Sequence, residues 1–263
     1  EIAIALDAEY NGQALFPNKN QIRIQLIDWT STDYVPDYPV IYSINSISPT
    51  YSQIPIPKEM ENLIRVTAYN VWNNGFNDPQ RLPLLENTLQ VLNSDVFAFS
   101  ECSNTSEEDV KNILDDILNL NTNDGWHVIK KEYDDLILAS KYPILDDWPI
   151  ESNGIKAMHP CLIDLPGNIY AKDLLIINSH MSCCGSDSLR QIQADDFVNF
   201  ILDAKEPGGA IDLVDGTPFV LCGDLNLVGY SQQLTTLLTG DIVNTEIFGP
   251  GGGMNWANNN LKD

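Results

Sequence analysis

Pro218-Phe219-Val220-Leu221-Cys222-Gly223-Asp224-Leu225-Asn226 is an apolar run that breaks abruptly into an acid and an amide two residues apart. In an extended segment, side chains at i and i+2 point the same way, so Asp224 and Asn226 are expected to converge on one spot at the end of a buried strand. An ionised carboxylate in such a place needs a metal, a histidine or bound water as a partner. Gly-Asp and Asn are also ordinary turn formers, and a tight turn accounts for the tetrapeptide equally well when it is read alone.

Working outward, the chain from Leu63 onwards alternates strand and helix patterns. Leu63–Tyr69 reads as a strand ending at Asn70, and Asp95–Phe99 as a strand ending at Glu101. Asp135–Ser140 is a further strand, and Leu174–Asn178 is another that runs into Ser179-His180. A helix is expected to open at Asp78-Pro79, with Leu82, Leu85, Leu89 and Leu92 on one face. A second starts at Ser106, where Glu107, Glu108 and Asp109 suit the positive end of the helix dipole. Its apolar stripe is Val110, Ile113, Leu114, Ile117 and Leu118. A third spans 188–204 with Leu189, Ile192, Phe197 and Ile201 as its core face. Asn70, Glu101, His180 and the Asp224/Asn226 pair therefore all follow apolar strands (RVTAYN, DVFAFSE, LLIINSH, FVLCGDLN). A turn amide, an exposed strand end and a satisfied histidine explain the first three singly. Their conjunction is what points to phosphate and metal chemistry.

This order of elements resembles the endonuclease/exonuclease/phosphatase superfamily of metal-dependent phosphoesterases, with its DNase I-like fold. The motifs that carry the resemblance are an N-x-W segment after the first strand, DVFAFSE, LASKYPI, INSH followed by an Arg-Gln helix, and GDLN, covering Leu63 to Asn226. The resemblance implies an α/β (α+β) fold of two mixed β-sheets packed as a sandwich, with helices on both outer faces. It implies a Mg²⁺-type ion (or Mn²⁺ or Ca²⁺) with Glu101 as principal ligand, since a hard cation prefers carboxylate oxygen. Asn70 would help hold the metal and the scissile phosphate. Asp224 would position or activate the attacking water, Asn226 would hydrogen-bond a phosphate oxygen, and His180 would contact the phosphate as charge develops on it. Lys156 lies where the family often carries a basic or aromatic residue and is a further candidate for phosphate.

Two departures accompany the resemblance. Its family closes the site with a C-terminal Asp-His pair, whereas the three histidines here are His127, His159 and His180, and none follows an aspartate. The expectation is a domain cut short beyond 263 and impaired for that reason. Two residues after Asn70 stands Trp72 rather than a second acid, which favours one dominant metal. The function expected is hydrolysis of a small or lipid-linked phosphate ester by in-line attack of water. The alternatives are a secreted DNA or RNA endonuclease of the same family and, from another class, a catalytically dead binding module on this fold. A serine hydrolase is disfavoured by the lack of a G-x-S-x-G elbow.

Composition narrows the partners. Among 263 residues, 37 Asp plus Glu oppose 14 Lys plus Arg, a formal charge of −23. Such a field repels polyanions, so nucleic acid is disfavoured, although bound divalent cations reverse the local sign. With 43% apolar and 19% charged residues the chain is globular, and no run is long enough to span a membrane. Residues 1–60 read as β structure only, with Ile2, Ile4 and Leu6, then Ile22, Ile24 and Leu26, in alternation. They are followed by a Tyr/Ser/Pro-rich stretch over 34–57, and the whole is expected to be the tail of an accessory β-module plus linker before a phosphoesterase-like domain at 61–263. The resemblance, acidity and accessory module together point to a secreted bacterial protein. Of the remaining polar residues, His159 and Arg190 are expected to be structural. Asp134-Asp135 and Asp146-Asp147 are expected on a solvated face, and Gly251-Gly252-Gly253 in a flexible loop. The five cysteines, Cys102, Cys161, Cys183, Cys184 and Cys222, have no zinc-type CxxC spacing, and Cys183 or Cys184 is left to pair elsewhere.

Overall fold

The apolar runs after Leu63 become two β-sheets, and the central runs 96–100, 137–140 and 174–179 are buried on both of their faces. In the computed structural model, residues 55–60, 62–120, 122–131, 135–152, 154–227 and 232–261 are described, with the backbone alone for Lys156. Before residue 55 the description is limited to the strands 9–10, 13–14, 21–28 and 33–43. The chain separates into two units, Glu1–Ser52 and Gln53–Asp263.

In the first unit, Glu9–Tyr10 pairs antiparallel with Gln13–Ala14, and Gln21–Asp28 with Asp33–Ser43. The expected strand around Ile22, Ile24 and Leu26 is present. The stretch read as edge and linker begins as the strand Asp33–Ser43, carrying Pro36 and Pro39 where a two-stranded ladder leaves one side of each strand unpaired. The expected strand at Ile2–Leu6 lies outside the described residues.

The second unit contains nine strands and five helices among its described residues. Sheet I comprises β1 (Val66–Asn70), β2 (Val96–Ser100), β3 (His127–Ile129) and β4 (Ile137–Ser140), in the order β1-β2-β4-β3. Sheet II comprises β5 (Ile144–Asp147), β6 (Ile150–Ser152), β7 (Ile155–Ile163), β8 (Leu174–His180) and β9 (Phe219–Asp224), in the order β6-β7-β8-β9 with β5 also paired to β7. Both sheets are mixed, since β1 runs parallel to β2 and β8 parallel to β9 while the other pairs are antiparallel. The helices are α1 (Leu82–Leu92), α2 (Glu107–Ile117), α3 (Asp187–Lys205), α4 (Gln232–Thr239) and α5 (Thr245–Phe248).

Side-chain alternation separates three apolar layers. On β2, Phe97 and Phe99 turn outward onto Leu89 of α1 and Val110 and Leu114 of α2. Val96 and Ala98 turn inward and meet Leu138, Cys161, Ile163 and Ile176 between the sheets. On β8, Leu175 and Ile177 turn outward onto Phe197, Val198 and Ile201 of α3. Each such side chain, fully buried, contributes about 1.5–3 kcal/mol of transfer free energy. The arrangement is a two-sheet sandwich with helices on both outer faces.

Several local expectations change. The helix expected at Asp78 begins at Leu82, because the Asp78 carboxylate first closes a turn by accepting from the Gln80 amide (2.9 Å) and Arg81 Nε (2.7 Å). Ser106 caps α2 as read, its hydroxyl accepting from the Asp109 amide at 3.1 Å. On α3, Leu189 and Ile192 are only half-buried, whereas Arg190, Gln191, Gln193 and Asp195 are buried. The polar residues face inward because they bind other segments. Asp195 accepts from Val243 N (3.0 Å), Asn244 N (2.9 Å) and Asn244 Nδ2 (2.6 Å), which ties the C-terminal segment to the helix. The triple glycine is a packed crossing rather than a flexible loop. A Cβ on Gly251 would lie 1.8 Å from the Gly240 carbonyl oxygen, and one on Gly253 would lie 2.0 Å from the Asn258 backbone.

Candidate active site

The strand ends picked out from the sequence arrive together at one edge of the sandwich. Register alone brings them into pairs, since Asn70 is level with Ser100 in sheet I and His180 with Asp224 in sheet II. Just below, buried Asn178 of β8 donates from Nδ2 to the carbonyls of Phe99 (2.9 Å) and Ile137 (3.1 Å), which fastens the two sheets at that level. Gly223 is required there. Its φ is +132°, and a Cβ would sit 1.9 Å from the Ser179 carbonyl oxygen.

Asn70 couples the sheets directly. Its Nδ2 donates to Glu101 Oε1 at 2.8 Å and to Asp224 Oδ2 at 3.0 Å, and its Oδ1 accepts from the Trp72 amide at 2.8 Å. Both amide protons are thereby committed to holding two carboxylates side by side. Glu101 has a left-handed backbone (φ +61°), and its Oε2 accepts from the Asn73 amide at 2.6 Å. Residues Trp72, Asn73 and Asn74 are left-handed as well, with φ of 51°, 48° and 57°. Non-glycine residues in that region cost roughly 1–3 kcal/mol each and persist where surrounding contacts over-determine them. Arg81 supplies those contacts. Its guanidinium donates to the carbonyls of Val71 (3.2 Å), Trp72 and Asn73 (3.2 Å) and sits 5.1 Å from the centre of the Trp72 ring.

Asp224 and Asn226 do not share a face as residues of one extended strand. The strand ends at Asp224, and Asn226 turns left-handed (φ +49°) with its amide N–H on Asp224 Oδ1 at 3.0 Å. The tetrapeptide is a turn, and the turn is what places both residues at the pocket. Asn226 Nδ2 donates to the Met181 carbonyl at 2.8 Å, and Met181 N to the Asp224 carbonyl at 3.0 Å, so the ends of β8 and β9 are cross-tied.

A cavity of about 460 Å³ opens here, lined by Glu101, Asp135, His180, Asp224, Asn226 and Cys183 among others. Asp135, expected on a solvated face, instead holds His180, with Asp135 Oδ2 at 2.6 Å from Nδ1. That bond, with the nearby Asp224 and Glu101 charges, raises the imidazole pKa above 6.5 against the opposing effect of burial. Of the three histidines, His180 alone lines this cavity. The spacing of Asp135 from any motif gave no signal of this role. Arg81 was equally silent, since it reads as an ordinary residue ahead of a helix.

Three carboxylates and one imidazole line the cavity, and no Lys or Arg side chain joins them among the described residues. An anionic ester would be repelled by this lining unless a cation stood between. Among the described residues no three His, Cys, Asp or Glu side chains form a closed metal cage. The donor set fits a hard cation that keeps most of its water and rests on one or two carboxylates, as Mg²⁺ does. The side chain of Lys156, on β7, lies outside the described residues. His159 is buried, with Nε2 at 2.8 Å from Asp147 Oδ2, and Lys131 Nζ is 2.9 Å from the same oxygen. Asp147 thus leaves the solvated face assigned to it, while Asp146 stays exposed. Arg190 is structural as expected, paired with Asp187.

Searches with the sequence match no family model and no curated protein. Solved structures with similar chain traces include a hairpin-deletion mutant of beta toxin from Staphylococcus aureus, 16% identical with a TM-score of 0.47 over 67% of this chain and 72% of that one. Sphingomyelinase C from Streptomyces griseocarneus is 16% identical with a TM-score of 0.47 over 66% and 68%. ANGEL2, a 2',3'-cyclic phosphatase, is 15% identical with a TM-score of 0.49 over 67% and 57%. By its own strand order, with two stacked mixed sheets, helices outside and a polar pocket at the strand ends, the chain has the DNase I-like α/β sandwich fold expected from its sequence.

Proposed function

We propose that this protein is a metal-dependent hydrolase of phosphate esters, acting on a small or lipid-linked phosphodiester or a phosphomonoester. The observation that carries the reading is the convergence of Glu101, Asp224 and the Asp135–His180 pair on one cavity that lacks a basic side chain among the described residues. In this reading Glu101 would hold a Mg²⁺-type ion, which would supply the positive charge that an anionic ester needs to enter this acidic pocket and to be polarised. Asn70 holds Glu101 and Asp224 at a fixed separation. Asp224 accepts a proton from the water that attacks phosphorus, and its two bonded partners fix the direction of its free lone pairs. His180, whose protonation the Asp135 carboxylate at Nδ1 favours, would in its protonated form offer Nε2–H to a phosphoryl oxygen as negative charge grows there. Asn226 has a second amide proton and its Oδ1 left for the same group. The net charge of −23 opposes the long phosphate contacts of a nuclease groove and favours a substrate with one phosphate.

The test compares bis(p-nitrophenyl) phosphate, p-nitrophenyl phosphate and plasmid DNA, with Mg²⁺ and with EDTA. Hydrolysis of the small esters is expected to vanish in EDTA and return with Mg²⁺. Glu101→Ala and Asp224→Ala are each expected to lower the rate by about 10²–10³-fold. EDTA-insensitive turnover, or unchanged rates in both variants, would overturn the assignment. A folded protein with no turnover of any ester would favour a binding module on this fold.

A further inference from the structure

The segment that follows His180 carries a feature the hydrolytic reading does not use. Cys183 and Cys184 are adjacent, both are free and exposed, and Cys183 lines the cavity. Cys102 and Cys161 are buried and Cys222 is half-buried, so the exposed thiols are both at this one place. The neighbouring Cys184 side chain holds the Cys183 thiol above its usual pKa. The backbone around them is already unusual, with Cys184 left-handed at φ +63°. It is also gripped from beneath. Buried Arg190 donates from Nη1 to the Ser182 carbonyl at 2.6 Å and from Nη2 to the Cys184 carbonyl at 3.1 Å, one on either side of Cys183.

We infer that Cys183 and Cys184 form a redox modification site at the lip of the pocket, which closes reversibly into a vicinal disulfide by exchange with a low-molecular-weight disulfide. In the first step one cysteine thiolate attacks the small disulfide, forming a mixed disulfide and releasing one small thiol. In the second the neighbouring cysteine attacks the protein-bound sulfur, forming the Cys183–Cys184 bond and releasing the second thiol. The small disulfide is reduced, the cysteine pair is oxidised, and the two cysteine protons leave with the two thiols. Adjacent Cα atoms are about 3.8 Å apart across a trans peptide, below the roughly 4.4–6.8 Å at which disulfides are relaxed. A strained, exposed bond of this kind is easily reduced, which suits a reversible modification rather than a permanent staple.

Closure has a direct route to the chemistry. To bring the sulfurs together the 183–184 peptide must rotate, which withdraws the Cys183 carbonyl from the Ser186 amide that donates to it at 3.3 Å. Two residues earlier, Met181 binds both the Asp224 carbonyl and the Asn226 side chain. A shift of this lip therefore reaches the strand end that holds Asp224 through a single residue.

The protein is treated with glutathione disulfide under native conditions, the remaining thiols are alkylated, and the digest is mapped by mass. The peptide holding both cysteines is expected to be lighter by two hydrogens, with dithiothreitol reversing the change. In Cys184→Ser the same treatment should leave a persistent glutathione adduct on Cys183. Two alkylated thiols in the treated wild type, stable adducts without a ring, or a loss of two hydrogens that persists in Cys184→Ser would overturn the proposal. Its effect on turnover rests on the hydrolase reading and is measured separately, as an expected drop of about tenfold on ring closure, restored by dithiothreitol. If no form of the protein turns over an ester, the hydrolase reading fails while the mass result still decides the ring. If the closed and open forms turn over equally, control by the ring is overturned and the hydrolase reading stands.

Discussion

Two Asp–His pairs in this molecule share almost the same bond, yet their surroundings differ in access and in the sign of the neighbouring charge. Asp135 and His180 are 2.6 Å apart with side chains 25% and 20% exposed, on a cavity shared with Glu101 and Asp224. Asp147 and His159 are 2.8 Å apart with side chains 12% and 0% exposed. Water and a substrate can reach the first imidazole, and its field is wholly acidic. The second is closed in, its carboxylate has Lys131 as an additional partner, and its Nδ1 has no hydrogen-bond partner among the described residues. A hydrogen-bonded Asp–His pair is therefore not a signature of catalysis. Access and the sign of the neighbouring charge decide what it does.

The comparison breaks first at activity. His180→Ala is expected to lower phosphoesterase turnover by about 10²–10⁴-fold, the range that positioned proton donors and acceptors contribute. The thermal unfolding midpoint should fall less than in His159→Ala, because the His180 side chain is 20% exposed where that of His159 is fully buried. Rates within threefold of the parent would remove His180 from the chemistry and leave the two pairs equivalent.

The second break is at stability. His159→Ala leaves a void in a buried site and removes one of the two hydrogen-bond partners of the Asp147 carboxylate, and together these are expected to cost about 3 kcal/mol. Burial alone would push the Asp147 carboxyl up, but the hydrogen bonds from His159 and Lys131 outweigh it and hold the pKa below its usual value. The loss should appear as a lower midpoint in urea, with turnover per folded molecule kept. A variant of unchanged midpoint that has lost turnover would exchange the roles argued for the two histidines.

The two pairs also divide what is legible in the sequence from what is not. His180 and Asp224 could be read because each sits at the end of its own apolar strand, where hydrophobic alternation sets the register and the direction of the last side chain. Asn70 and Glu101 were legible for the same reason. Asp135 and Asp147 were not. Asp135 precedes its strand in a turn, and Asp147 ends a four-residue strand too short to carry a pattern. Asp135 finds its histidine 45 residues along the chain, and Asp147 finds His159 across a strand pairing 12 residues on, and neither match is encoded by local spacing. The face of α3 was misjudged similarly, since Asp195 and Gln191 are buried by partners more than forty residues away. The core layers, by contrast, follow from alternation within single strands and were readable.

The smallest effect sharpens the comparison most. Asp135→Asn keeps a hydrogen-bond acceptor for Nδ1–H, but it weakens the carboxylate hydrogen bond that is the largest cause of the raised His180 pKa and removes the Asp135 charge that adds to it. The imidazole pKa should fall, as followed by the His180 ring protons in an NMR titration. Because His180 works as the cation in the proposed mechanism, the alkaline limb of turnover should move to lower pH, with a drop of roughly tenfold at neutral pH. Stability changes in the same sense. A histidine whose folded pKa is raised above 6.5 contributes stability that is complete below that pH and fades as pH rises through the raised value. Asp135→Asn should therefore lower the unfolding midpoint at mildly acidic pH and leave it almost unchanged at alkaline pH, where His180 is neutral in either protein. An alkaline limb that stays in place while the NMR pKa falls would show that the proton on His180 is not the one that limits turnover, and would return that task to Asp224 and its water.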